Sequence, residues 1–189
     1  MLTLPVLLLA LAGASAVSAQ APAAHTLLPV PASLVLTSAR LRLDSAFTVE
    51  FAAFHDARLE RAVTRAVSRL EGRIAKPLPR NYGETRERAR LVLRVKGAGF
   101  AIPDLAEDES YTLQVTAERA TLTANTVVGA MHGLETLLQL QAFDGDGFYF
   151  QGATIEDAPR FRWRGLLEMW HDTGSRSMSS SAPSMVWPS

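Results

Sequence analysis

Cysteine is missing from all 189 residues of this sequence. Its absence excludes a disulfide framework, a zinc site built on thiolates, a cysteine nucleophile and a lipid attached through cysteine. If a protein of this composition is exported, its hydrophobic core alone must stabilise it.

The sequence also has no excess of charge of either sign. Lys and Arg together number 19, as do Asp and Glu, so no net charge favours a nucleic acid or an anionic membrane as a partner. The four histidines are scattered without the spacing of metal ligands, and we predict no metal and no cofactor. The apolar segment Leu2 to Ala12 is shorter than the ~20 residues of a membrane span, so none is predicted.

That apolar segment instead predicts a signal peptide over residues 1–19. Val17-Ser18-Ala19 supplies the small-x-small pattern that signal peptidase cleaves, so the mature chain begins near Gln20 and is periplasmic or secreted. The segment departs from the pattern in having no Lys or Arg before its apolar core, and a buried or disordered N-terminus is the alternative. Residues 20–26 form a short Ala/Pro linker.

Hydrophobic periodicity predicts strands and helices from residue 27 onward. Two extended pieces carry alternating leucines at 34 and 36 and then at 41 and 43. A helix capped by Asp56 follows, with apolar residues at steps of three and four. Five arginines on its other side could suggest nucleic acid, but acidic residues lie between them, so a solvated helix face is favoured. The apolar positions are Leu59, Ala62, Val63, Ala66, Val67, Leu70 and Ile74.

The next segments predict a strand over 90–96, a hairpin over 110–124 and a second helix capped by Asn125 or Thr126. We expect that helix to reach Gln141, and its two glycines, at 129 and 133, to allow close packing on the sheet. The residues Asp144 to Gly147 resemble the start of a calcium loop, but the later acidic ligands are missing and a plain turn is favoured.

These elements predict an α+β fold over residues 27–152, a sheet of about five strands covered on one face by two helices. Composition and periodicity assign no activity to it, because function depends on sites rather than folds.

Two motifs between Ala120 and Leu167 resemble the β-N-acetylhexosaminidases of glycoside hydrolase family 20. Those enzymes join an N-terminal α+β domain to an eight-stranded β/α barrel, typically through T-x-x-G-A-x-x-G-L-x-T-L-x-Q-L followed by I-x-D-x-P-R-F-x-W-R-G. The matching residues here are Thr126, Gly129, Ala130, Gly133, Leu134, Thr136, Leu137, Gln139 and Leu140, then Ile155, Asp157, Pro159, Arg160, Phe161, Trp163, Arg164 and Gly165.

The resemblance implies removal of terminal N-acetylglucosamine or N-acetylgalactosamine from glycoconjugates or chito-oligosaccharides. In the family, the substrate's own acetamido oxygen attacks the anomeric carbon, an Asp orients that group and the adjacent Glu is the general acid/base. The arginine of W-R-G binds hydroxyls of the terminal sugar, which assigns Arg164 to the substrate; pairing with a carboxylate is its structural alternative. No catalytic residue is predicted in this chain.

Residues 153–167 are predicted to begin the barrel, which needs ~250 residues in all. The Ser-rich residues 168–189 depart from the family pattern, either as a flexible tail or because they are translated out of frame. Shifted by two bases, the codons of Met169-Trp170 must give Val, and the whole tail can be re-read as DVARHWEPVDVVKRTLDGMAI, the expected end of the first barrel strand, its loop and an amphipathic helix. We therefore favour the hypothesis that residues 168–189 are a disordered tail translated out of frame. The chain is therefore expected to be an inactive fragment. A stand-alone carbohydrate- or protein-binding module is the alternative, and an unrelated α+β scaffold is a third.

Overall fold

A computed structural model describes residues 26–79, 89–102 and 104–161. The chain divides into two compact units, Met1–Pro159 and Arg160–Ser189, and every helix and strand described belongs to the first. In chain order these are β1 (Ser33–Arg42), β2 (Val49–Phe51), α1 (Ala57–Ile74), β3 (Leu91–Val95), β4 (Tyr111–Val115), β5 (Ala120–Ala124), α2 (Val127–Gln139), β6 (Gln141–Asp144) and β7 (Gly147–Asp157).

The seven described strands form one mixed sheet in the order β1-β7-β4-β5-β3-β2, with β6 also paired to β7. Strand β3 runs parallel to β2 and β5, and the remaining pairs are antiparallel. The α+β class is confirmed. The sheet has more strands than the predicted five or so, because β2 and β6 span only three and four residues and are too short for alternation to identify.

Strand β1 explains the two extended pieces predicted from its leucines. It is one strand whose register against β7 shifts between Leu36 and Arg40. Leu36 and Leu41 are an odd number of residues apart and would point to opposite faces of a regular strand. The irregularity brings Leu41 opposite Phe150, and both side chains are buried in the core.

Both helices begin at capping residues. The Asp56 carboxylate accepts a hydrogen bond from the amide of Leu59 at 2.7 Å, and the Thr126 hydroxyl accepts one from Gly129 at 3.2 Å. Thr126, rather than Asn125, is therefore the cap of α2. All seven apolar positions predicted for α1 are buried.

The second helix is shorter than predicted, because α2 ends at Gln139 and Gln141 lies in β6. There Gln141 pairs with Phe150, and the Leu140 carbonyl accepts a hydrogen bond from Gln151. Sheet pairing thus replaces the helix at this point.

The helices cover one face of the sheet, as predicted. Alternate residues of the central strands, such as Tyr111, Leu113 and Leu122, are buried in the core beneath them. The residues between them form the opposite face, here called the open face, which is polar and exposed or half-buried; in β4, β5 and β7 these are Thr112, Gln114, Thr121, Thr123, Thr154 and Glu156.

Strand β7 continues to Asp157, past the predicted domain boundary at residue 152. Ala153 and Ile155 lie in the core, and residues 153–157 pair with β4. None of the described helices is long and apolar enough to cross a membrane.

Candidate functional site

Arg164, the residue assigned to the substrate, lies outside the described residues, as do the predicted signal peptide and the tail over 168–189. Among the residues that the structure does describe, no cluster of three His, Asp or Glu could hold a metal ion. The candidate site therefore comprises the motif residues that the structure describes and the surface around them.

The motif glycines of α2 bring the helix into contact with the sheet. A Cβ added to Gly129 would lie 2.4 Å from the backbone oxygen of Ser110, and one added to Gly133 would lie 2.2 Å from a methyl of Leu122. Any larger residue would push the helix away from the sheet. Close packing at both glycines is confirmed.

Two further motif residues, Thr136 and Asp157, meet beside Tyr111 at the end of the sheet. The Tyr111 hydroxyl lies 2.6 Å from the Thr136 hydroxyl and donates to the Asp157 carboxylate at 3.3 Å. Burial of the phenol, opposed by the Thr136 hydrogen bond, raises the pKa of Tyr111 to about 12. Asp157 also accepts a hydrogen bond from the amide of Ala32 at 3.0 Å, so this network joins β4, α2 and β7 to the start of β1.

Gln139, the remaining polar residue of the first motif, holds the segment before β1. Its side-chain oxygen accepts from the Leu28 amide at 2.8 Å, and its nitrogen donates to the Leu28 carbonyl at 3.0 Å. The described contacts of the first motif are thus close packing, a helix cap and hydrogen bonds within the domain.

A groove of about 410 Å³ opens at this end of the sheet. Its lining comes from four strands and the residues next to them: Ala32, Ser33, Ser110, Tyr111, Thr112, Thr123, Ala124, Asn125, Glu156 and Asp157. Glu156 and Asp157 are consecutive in β7, so their side chains leave opposite faces of the strand.

Sequence reasoning did not identify this groove. Its polar residues occupy the alternate positions of ordinary amphipathic strands, and they come together only through the register of the sheet.

A second polar cluster lies at the turn between β6 and β7. The Asp144 carboxylate accepts hydrogen bonds from Arg40 and Arg42, each at 2.6 Å. The Arg42 hydrogen bond is the main cause that lowers the pKa of Asp144 to about 2. Asp144 therefore binds arginines of β1, and the segment forms a hairpin turn rather than a calcium loop.

Comparison with known proteins matches this fold to one family. A family profile described as "beta-acetyl hexosaminidase like" matches residues 27–140, which run from before β1 to the end of α2. The chain is 50% identical over 68 residues to the beta-hexosaminidase subunit beta of Homo sapiens, and 42% identical over 93 residues to the subunit alpha of Bos taurus. These matches cover 35% and 48% of this chain, but only 12% and 18% of those proteins.

The solved structures agree. The chitobiase of Flavobacterium johnsoniae superposes with a TM-score of 0.68 at 38% identity, covering 74% of this chain and 22% of that one. A Streptomyces plicatus beta-hexosaminidase in complex with its product GlcNAc superposes with a TM-score of 0.55 at 25% identity, covering 76% of this chain and 29% of that one. The chain thus spans less than a third of the length of each relative.

Proposed function

Because this chain belongs to the β-N-acetylhexosaminidase family of glycoside hydrolase family 20, we propose that it is the N-terminal part of an exported exo-glycosidase. The substrate would be a glycoconjugate or chito-oligosaccharide that ends in N-acetylglucosamine or N-acetylgalactosamine. The main support for the proposal is the family match over residues 27–140. Within that range, the motif glycines of α2 pack the helix on the sheet, and the motif residue Thr126 caps it.

The proposed reaction is substrate-assisted hydrolysis with retention of configuration. The acetamido oxygen of the substrate attacks the anomeric carbon, while an Asp orients it and a Glu protonates the leaving oxygen. By resemblance, that Asp–Glu pair belongs to the barrel domain, and Arg164 at its first strand donates hydrogen bonds to sugar hydroxyls. The 189-residue chain is accordingly proposed to be inactive.

The first experiment is to determine the nucleotide sequence downstream of codon 167. We expect the shifted frame to stay open and to encode the rest of a barrel. A stop codon soon after this point in that frame would exclude the frameshift. A cleaved N-terminus at Gln20 in the mature protein, measured by mass spectrometry, would support export.

The activity test uses a chromogenic N-acetylglucosaminide. The 189-residue chain should show no hydrolysis above a protein-free control, whereas the protein extended in the shifted frame should hydrolyse it. In the extended enzyme, Arg164→Ala should lower kcat/KM roughly 10- to 100-fold, the loss expected when hydrogen bonds from a charged group are removed. Arg65→Ala, on the exposed side of α1, is the matched control and should leave kcat/KM unchanged. Clear hydrolysis by the 189-residue chain would contradict the proposal of inactivity.

A further inference from the structure

The groove at the end of the sheet contains a row of polar side chains that cross four strands. The register places Ser33 of β1 opposite Glu156 of β7, Glu156 opposite Thr112 of β4, and Thr112 opposite Thr123 of β5. Directly opposed residues of antiparallel strands have Cβ atoms about 5 Å apart. The open face therefore presents three hydroxyls and a carboxylate at regular intervals along a line about 15 Å long.

The side chains of this row are exposed or half-buried, so their hydrogen-bonding groups face solvent. Within the described part of the chain, the hydroxyls of Ser33, Thr112 and Thr123 and the carboxylate of Glu156 have no protein partner. Each hydroxyl can both donate and accept, and the carboxylate can accept several hydrogen bonds. The row can therefore bind a ligand that carries several hydroxyl groups.

The side of the groove next to α2 is held in place by hydrogen bonds of its own. The Asp108 carboxylate accepts from the amide of Ser110 at 2.9 Å and from its hydroxyl at 2.5 Å, and it also accepts from the Asn125 side chain at 2.5 Å. On the other side, Asp157 accepts from the Ala32 amide. A groove fixed in this way loses little conformational entropy when a ligand binds.

The lining also excludes several ligand classes. It contains no Lys, Arg or His, and Glu156 supplies an exposed carboxylate, so the lining itself offers a phosphate or other anion no charged donor. Its apolar residues are two alanines and the buried Tyr111, which offer no broad apolar or aromatic face. The volume of about 410 Å³ lies within the usual range of small-ligand sites.

We propose that this groove binds a neutral oligosaccharide through the sugar hydroxyls. The inference does not depend on the proposed hydrolase function, because it rests only on residues of the described sheet. The groove has no aromatic ring on which a sugar could stack, so about four hydrogen bonds would supply the binding free energy. We therefore expect weak affinity, with a Kd of about 1 mM.

The test is an NMR titration of the 189-residue chain with tri-N-acetylchitotriose and, separately, with cellotriose. We expect saturable shifts of the backbone amides of Ser33, Thr112 and Thr123. Saturation by both sugars supports recognition of hydroxyls in general, and saturation by chitotriose alone narrows the ligand to acetamido sugars. If neither sugar gives saturable shifts, or if the shifts lie away from the groove, the proposal is wrong.

Two variants with paired substitutions make the test specific. Thr112→Val with Thr123→Val removes two hydroxyls from the row but keeps the shape and strand preference of the side chains, and should raise Kd at least about tenfold. Thr121→Val with Thr154→Val makes the same change on the same face but outside the groove, and should leave Kd within twofold. Equal effects of the two variants would overturn the proposal. Should the first variant fold poorly, Glu156→Gln, at an exposed position, is expected to weaken binding in its place.

Discussion

At the scale of single residues, the fold depends on polar side chains that join elements distant in sequence. Tyr111 and Asp157 connect the sheet to α2 and to the start of β1, and Asp144 connects the β6–β7 turn to two arginines of β1. Both Tyr111 and Asp144 have pKa values that the folded state shifts, so each makes stability depend on pH in a definite direction.

Tyr111 should make the protein less stable at alkaline pH. Its pKa rises from 10.0 to about 12 on folding, so between these values the unfolded chain loses the phenol proton more readily than the folded one. The free energy of unfolding is therefore unaffected by this group below pH 10, and it falls by up to about 2 kcal/mol towards pH 12. Urea unfolding across this range should show a shallower decline for Tyr111→Phe. Tyr149→Phe, which keeps Tyr111, should decline as steeply as wild type; equal slopes for all three proteins would contradict the prediction.

Asp144 should have the opposite dependence, at acid pH. Its pKa falls from 3.8 to about 2 on folding, so its stabilising effect is complete above about pH 4 and is lost as the pH falls to 2. Asp144→Asn should therefore be less stable than wild type at pH 7, and most of the difference should be lost by pH 2 in urea titrations. Asp146→Asn is the control, because its carboxylate is 85% exposed and contacts Arg42 only at 3.3 Å. An Asp144→Asn difference as large at pH 2 as at pH 7 would rule out this ion pair as the cause.

At the scale of elements, α2 is positioned by its glycines rather than by large side chains. Gly129 and Gly133 allow the helix to approach β4 and β5 so closely that a methyl group would overlap Ser110 or Leu122. Glycine lowers the intrinsic stability of a helix, and here that cost is offset by closer packing.

Three alanine substitutions separate these two effects. Gly129→Ala and Gly133→Ala should each destabilise the protein by about 1–3 kcal/mol, because the added methyl meets a neighbouring strand. The first should cost more, since its neighbour is a backbone oxygen while that of Gly133 is a side-chain methyl. Gly72→Ala, in α1 with nothing within 4 Å, should stabilise by about 0.5–1 kcal/mol. Guanidinium unfolding measures all three, and a stabilising Gly129→Ala would show that the helix can move away from the sheet.

The helices could be predicted from sequence because their signals are local. Apolar spacing and the Asp56 cap identify α1 and each of its buried positions. The pairing of strands is not local: Ser33 pairs with Glu156, more than a hundred residues later, and no pattern within either strand specifies the other. The groove was missed for the same reason, and the proposed role of Arg164 rests on family resemblance alone.

At the scale of the whole molecule, β7 is the strand on which the sheet depends. It is the last of the seven described strands in sequence but lies inside the sheet, pairing with β1 on one side and with β4 and β6 on the other. Strand β1 pairs only with β7 among the described strands. Without β7, therefore, β1 would have no place in the sheet.

Truncation tests this dependence. A chain ending at residue 146 lacks β7 and should give no cooperative urea transition, because β1 loses its partner and the buried edge of β4 is exposed. A chain ending at residue 161 keeps every described strand and should unfold as cooperatively as the full chain. Circular dichroism during urea titration distinguishes the two. A cooperative transition in the shorter chain would mean that β1 and β4 can close a sheet without β7.

The place of β7 also sets a waiting time during synthesis. At about 5–20 residues per second, a ribosome needs roughly 5–20 s to pass from the end of β1 at Arg42 to the start of β7 at Gly147. Throughout that interval the nascent β1 has no sheet neighbour, although it alternates leucines with polar residues and could pair with other chains. Pro29 and Pro31, just before the strand, cannot donate backbone hydrogen bonds and so shorten the segment open to such premature pairing.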